Sequence, residues 1–257
     1  MQRSSDIIGY ALRGKDGAIG TITDILFDDR HVGLRWVVVD TGSWLPGRKV
    51  LLPPTALGPA DPATREYAVD LSIDEIKDAP GLETDQPVSR QLETDIYGFY
   101  GWDPYWYGGY GYAMVSGMPP AGSVVPGQTV DRQQAKVAQE QQKGDDHLRS
   151  IEEVTGYYVE ATDDNIGHIE DFVIDESDWA IRYLMIDTKN WWPGKMVLIS
   201  PDWLRDIAWS DGKVYVDVTR DKVKSAPDFD PSMTIDRKYE ESIHTYYGYS
   251  PYWGGVV

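Results

Sequence analysis

The stretch Ile19-Gly20-Thr21-Ile22-Thr23-Asp24-Ile25-Leu26-Phe27-Asp28 decides the fold, because Ile166-Gly167-His168-Ile169-Glu170-Asp171-Phe172-Val173-Ile174-Asp175 restates it. The two lie 147 positions apart, and the ungapped match runs from Gly9/Gly156 to Trp106/Trp253 with about 32 identities in about 100 positions. Similarity over that length marks an internal duplication of a whole folding unit. Many shared positions are punctuation: Gly20/Gly167, Asp24/Asp171, Asp28/Asp175, Arg35/Arg182, Asp40/Asp187, Pro54/Pro201 and Pro80/Pro227 belong to turns and strand ends.

Between these marks the apolar pattern predicts strands. In the opening stretch, alternation puts Ile19, Thr21, Thr23, Ile25 and Phe27 on one face and Gly20, Ile22, Asp24 and Leu26 on the other. Leu34 to Val39 and Ile181 to Ile186 are apolar and β-branched, as strands buried on both faces are. Val50 to Leu52, Tyr67 to Leu71 and their copies, Val197 to Ile199 and Val214 to Val218, add two more strands to each repeat. Asp16-Gly17 and Asp211-Gly212 are hairpin signals. Ser72 and Glu75 form a capping box for one short helix that Pro80 stops, and Thr219 to Ala226 copies it with Lys222 in place of the acid. The expected fold is mainly β: two small, strongly curved antiparallel barrels in tandem, each with one short C-terminal helix and an interior filled by its own side chains.

The boundaries follow from composition. Residues 1–106 form the first domain and residues 146–257 the second. Residues 107–145 between them are rich in Gly, Tyr and Pro, then in Gln, and too polar to bury a core, so they read as a tether. Each domain ends in an aromatic string, Tyr100-Gly101-Trp102-Asp103-Pro104-Tyr105-Trp106 and Tyr247-Gly248-Tyr249-Ser250-Pro251-Tyr252-Trp253. Such a string either folds back over the barrels or docks a partner, since Tyr and Trp are favoured interface anchors. Tyr100, Trp102, Tyr105, Trp106, Tyr247, Tyr249, Tyr252 and Trp253 are therefore the candidate interaction residues.

Charge narrows the function. The net charge is -18, with 17 acids against 10 bases in residues 1–106 and 21 against 11 in residues 148–257. Neither half is electrostatically suited to a nucleic acid or to anionic lipid. The absence of cysteine removes disulfides, thiolate metal sites and cysteine nucleophiles. Met1 to Tyr10 holds no apolar run of signal-peptide length, and no stretch approaches the ~18–20 apolar residues of a membrane span, so a cytoplasmic location is expected.

Familiar chemistries do not fit. Asp40-Thr41-Gly42 suggests an aspartic protease, whose two carboxylates share a proton on twin glycine-bearing turns, but the second copy reads Asp187-Thr188-Lys189. The four histidines, His31, His147, His168 and His244, have no partner at metal-binding spacing. Asp163-Asp164-Asn165-Ile166-Gly167 lacks the alternating oxygens and the distal Glu of a calcium loop. No catalytic, cofactor-binding or metal-binding residue is assigned, no cofactor is expected, and the chain reads as a non-enzyme.

The ordered set of marks resembles the PRC-barrel family, named for the cytoplasmic barrel of the photosynthetic reaction centre H subunit. In the first copy these are Ile8-Gly9-Tyr10, Ile19 to Ile25, Trp36-Val37-Val38-Val39-Asp40, Lys49 to Pro53, and Val69-Asp70-Leu71 leading to Ala79-Pro80. In the second they are Thr155-Gly156-Tyr157, Ile166 to Phe172, Tyr183 to Asp187, Met196 to Ile199, and Val216-Asp217-Val218 leading to Ala226-Pro227. The resemblance implies a module for protein contacts: in reaction centres it caps the membrane subunits, and in a ribosome maturation factor a related barrel binds a ribosomal protein. The membrane helix of the first and the RNA-processing domain of the second have no counterpart here, nor do the proton-conducting carboxylates of the H subunit. The expected function is a non-catalytic interaction or scaffolding module, a partner-binding adaptor or homodimer in a bacterial cytoplasm. The alternative is an accessory of a photosynthetic or membrane electron-transfer complex, in peripheral contact with it.

Overall fold

The computed structural model describes residues 1–46, 48–83, 88–104, 145, 147–189 and 195–254. The first repeat runs β1 (Gln2–Arg3), α1 (Ser4–Ile7), β2 (Ala11–Arg13), β3 (Ala18–Asp28), β4 (Leu34–Asp40), β5 (Arg48–Leu52), β6 (Leu57–Asp61), β7 (Glu66–Val69), α2 (Ile73–Asp78), β8 (Leu82–Glu83) and α3 (Arg90–Tyr100). The second follows the same plan: β9 (Leu148–Ser150), α4 (Ile151–Val154), β10 (Tyr158–Glu160), β11 (Asn165–Asp175), β12 (Ala180–Asp187), β13 (Met196–Ile199), β14 (Leu204–Ala208), β15 (Lys213–Val216), α5 (Arg220–Lys224) and α6 (Arg237–Tyr247).

Two sheets result, in the orders β6-β7-β2-β3-β4-β5-β8 and β14-β15-β10-β11-β12-β13. Three expectations need correction. The sheets are mixed: β2 pairs β7, and β10 pairs β15, in parallel, because β7 and β15 return from the far side to lie beside strands that open each sheet. Neither sheet closes into a barrel among the described residues. β5 and β13 do not pair with β6 and β14, the next strands in the chain; 3-10 turns at Pro54–Ala56 and Pro201–Trp203 separate them, and proline has no N–H to extend a ladder. Finally, each repeat carries three helices among the described residues where one was expected: a first helix, α1 or α4, and a last helix, α3 or α6, flank the expected α2 or α5. Ser89 and Asp236 cap α3 and α6 through the N–H of Leu92 and Tyr239, and left-handed Gly101 and Gly248 end them.

The capping box of α2 is present, Ser72 and Glu75 bonding reciprocally, while Thr219 caps α5 alone. Asp16 and Asp163 tie the turns before β3 and β11 to these helices by accepting the N–H of Ile73 (2.9 Å) and Arg220 (2.8 Å). Strict alternation in β3 does not hold. Bulges in its pairing let Ile19, Ile22, Ile25 and Phe27 all reach the core, and β11 does the same with Ile166, Ile169, Phe172 and Ile174. Gly20 and Gly167 are explained by close approach: a Cβ there would lie 2.2 Å and 2.0 Å from the carbonyl oxygens of Asp40 and Asp187.

The repeats do not close separate interiors. The main apolar core runs through both, with Phe27 and Phe172 packed at 6.0 Å. The halves also exchange strands. β1 pairs β11 of the second repeat, and β9 pairs the end of β3 that β2 leaves uncovered. Asp24 and Asp171, read as turn markers, instead hold the other repeat's first helix: Asp24 accepts from Ser150 Oγ (2.6 Å) and Glu152 N (3.2 Å), and Asp171 from Ser4, Ser5 Oγ and Ser5 N. At the β3–β4 and β11–β12 turns Leu34 N donates to Trp179 O and Ile181 N to Val32 O, both at 2.9 Å. Val32 and Trp179 are equivalent positions, and so are Leu34 and Ile181, so these reciprocal bonds describe a pseudo-two-fold pair.

Candidate functional site

The charged interior of each repeat lies beneath its last helix. α3 covers the outer face of β4 and β5, with Ile96 and Tyr97 packed on Trp36, Val38 and Leu51. The same side of α3 carries Glu93, fully buried. Its carboxylate accepts from Trp36 Nε1 (2.8 Å), and both of its oxygens accept from Arg35 Nη2 (2.9 Å each). Arg35, itself buried, also reaches Asp28 (3.1 Å) and Asp145 (2.8 Å). Burial pushes the Glu93 carboxyl upward, against the pull of Arg35, Trp36 and Arg90. In Asp28 and Asp145 burial also acts upward, but hydrogen bonds and Arg35 outweigh it and hold both carboxyls low.

In the second repeat the equivalent Glu240 is buried under α6 and accepts from the hydroxyls of Tyr183 (2.9 Å) and Tyr252 (2.9 Å). His244 packs edge-on to Trp203 at 5.0 Å, with its Nε2 3.1 Å from the Tyr183 hydroxyl. Burial lowers the His244 pKa below its ordinary value, against the opposing influence of Glu240 and Asp202. A depressed imidazole binds its proton more readily in the unfolded chain. Its contribution to stability is therefore whole above pH about 6.5 and is lost as the pH falls below that. Tyr97 stands at the matching position in the first repeat. His244→Tyr should therefore lose less stability than the parent between pH 7.5 and pH 5.5 in urea unfolding; an unchanged loss would show that His244 is not the responsive group.

The aromatic strings lie beside these sites. Tyr100 stacks on Trp102 at 4.2 Å, and Tyr249 stacks on Trp203 at 5.1 Å. Tyr247 is buried, while Tyr252 and Trp253 are half-buried and held by cations: Arg182 lies 4.0 Å over Tyr252, and Arg237 lies 4.0 Å over Trp253. Tyr105, Trp106 and, apart from Asp145, the tether 107–145 lie outside the described residues.

Asp40 and Asp187 end equivalent strands, and each accepts the N–H two residues on, from Gly42 (2.8 Å) and Lys189 (2.9 Å). His168, Glu170 and Asp187 come together, their ligand-capable atoms within 4.8 Å of one another. Sequence spacing missed this group because it depends on the register that sets His168 opposite Asp187. The Lys189 ammonium, 2.8 Å from Asp187, already supplies a cation there. Glu93, Glu240 and Tyr183 were missed as well. The available signal was that Glu93 and Glu240 are identical at equivalent positions of the two repeats, as are Ile96 and Ile243 three residues on.

The model of the PRC-barrel domain family matches residues 1–76 and 147–223. The chain belongs to the PRC-barrel family. Both matched stretches begin with the strand and helix exchanged between the repeats and end within α2 or α5, so α3, α6 and the aromatic strings lie beyond the PRC-barrel units. A comparison with curated proteins finds no match. Among the described residues no helix is long and apolar enough to cross a membrane.

Proposed function

We propose that this tandem PRC-barrel protein is a non-catalytic adaptor that binds a protein partner through the aromatic surface of its second repeat. The observation that carries the reading is the held geometry of Tyr249, Tyr252 and Trp253, fixed by Trp203, Arg182 and Arg237 yet still partly exposed. Rings already fixed in place lose little conformational freedom when a partner covers them, which is what makes Tyr and Trp strong anchors. The titratable groups gathered inside the repeats support the same reading, since Glu93, Asp28 and Asp145 converge on Arg35 in a structural network.

The test is co-elution of the full chain with a stoichiometric partner from its source, compared with the Trp253→Ala variant. The partner should be retained by the parent and weakened by at least tenfold in the variant, the usual loss at an interface anchor of about 1.4 kcal/mol or more. Equal retention by a folded variant would remove this surface from the proposal. A membrane electron-transfer complex as the retained partner would give the accessory role.

A further inference from the structure

The pseudo-two-fold pair is broken where Tyr67 and Trp179 meet. In the first repeat, Tyr67 is fully buried and its hydroxyl donates to Glu176 of the second repeat at 2.8 Å. Trp179, also from the second repeat, packs against Tyr67 with ring centroids 6.5 Å apart. The depression there, about 370 Å³, is lined mainly by partly exposed residues such as Pro59, Ala60 and Trp179, with Leu57 the one buried core residue that it touches.

At the equivalent place in the second repeat, Val214 stands for Tyr67 and Val32 for Trp179. Larger residues stand nearby, with Phe172 in place of Ile25, Leu184 of Val37, Ile207 of Ala60 and Trp209 of Pro62, but the space left by the two valines is not closed. A cavity of about 270 Å³ remains, with core side chains Val154, Ile169, Phe172, Leu184 and Val214 in its walls and exposed Arg30, Asp202, Arg205 and Asp206 also lining it. Folded interiors are close-packed and hold few voids larger than a water molecule, and a pocket that reaches apolar core side chains offers a small ring compound a surface to bury. Among its lining residues is Asp29, the counterpart of Glu176. Asp29 accepts from His147 Nδ1 (2.9 Å) and Arg149 Nε (3.1 Å), and a carboxylate has further lone pairs to offer.

We infer that this cavity is a binding site for a small, neutral, planar aromatic molecule carrying one N–H or O–H donor. The first repeat supplies the template, since it fills the same position with an indole and with a phenol whose hydroxyl meets the equivalent carboxylate. The site is separate from the aromatic surface proposed above and does not depend on that role.

The probes are indole and its carbon analogue indene, titrated into the full chain with methyl groups labelled for NMR. Indole should give saturable shifts at the methyls of Val154, Ile169, Leu184 and Val214, and indene should bind several-fold more weakly for want of the N–H. Val32→Trp copies the first repeat's plug. The backbone accepts it, because Val32 and Trp179 share a positive φ of 53° and 54°. This variant should raise the thermal midpoint and weaken indole at least tenfold, and Val214→Tyr should act in the same direction if Val32→Trp does not fold. Absence of saturable shifts in the parent, shifts confined to other methyls, or undiminished binding by a folded plugged variant would each overturn the inference.

Discussion

Residues 1–104 produced alone are expected to show no cooperative unfolding transition as a monomer. The reason lies in what the second repeat supplies. Without it, the far end of β3 loses β9, and Asp24 loses Ser150 and the N–H of Glu152. The strand β1 loses its only described pairing, with β11, and the continuous core is cut across Phe27 and Phe172. An exposed strand edge beside an opened apolar face is a surface for association. Two copies of residues 1–104 should therefore either stay unfolded or pair with each other, imitating the missing half. Co-expressed with residues 145–257, they should recover a one-to-one complex, and the full chain should unfold in a single transition by calorimetry. A folded monomer of residues 1–104 with its own sharp transition would show that the exchange of strands is incidental.

Arg35→Ala is expected to destabilise the chain by about 3–5 kcal/mol, the cost of leaving buried charges without their partner. Three carboxylates converge on this guanidinium, those of Asp28, Glu93 and Asp145, and the Arg35 and Glu93 side chains are 3% and 0% exposed. The counterpart Arg182 meets Asp175 at 3.4 Å and also pairs with Asp178, whose side chain is 52% exposed. Arg182 is 16% exposed and also stacks on Tyr252, so Arg182→Ala should cost about 0.2–1 kcal/mol for the ion pairs and about 0.5–2 kcal/mol for the ring contact, still less than Arg35→Ala. Urea unfolding of the two variants at neutral pH distinguishes these outcomes. The gap between parent and Arg35→Ala should also narrow in acid. Asp28 and Asp145 are held low in the fold, so their stabilisation is full above the ordinary carboxylate range and is lost as the pH falls below about 4. Equal costs for the two arginines would mean that burial does not set the strength of the network.

The duplication, the main strands, the capping box and the family were legible in the chain itself. Each is a local pattern or a recurrence, and such signals survive without knowledge of what lies across the fold. The last helices were partly legible too. Leu92, Ile96, Tyr97 and Tyr100 recur at helical spacing after Ser89, but the density of aromatic residues there reads equally well as an interaction string.

What the sequence alone determined is therefore each repeat's inventory of strands and turns. Tertiary structure decided how those pieces pair: the parallel strands, the break in pairing at Pro54 and Pro201, the exchange of first strands, and the meeting of Arg35 with Asp145. It also decided that two valines leave a cavity where a tyrosine and a tryptophan fill its twin. The physical reason is common to all of these. A residue's local preference is set by its neighbours in the chain, but burial, charge pairing and cavities depend on residues that only the fold brings together.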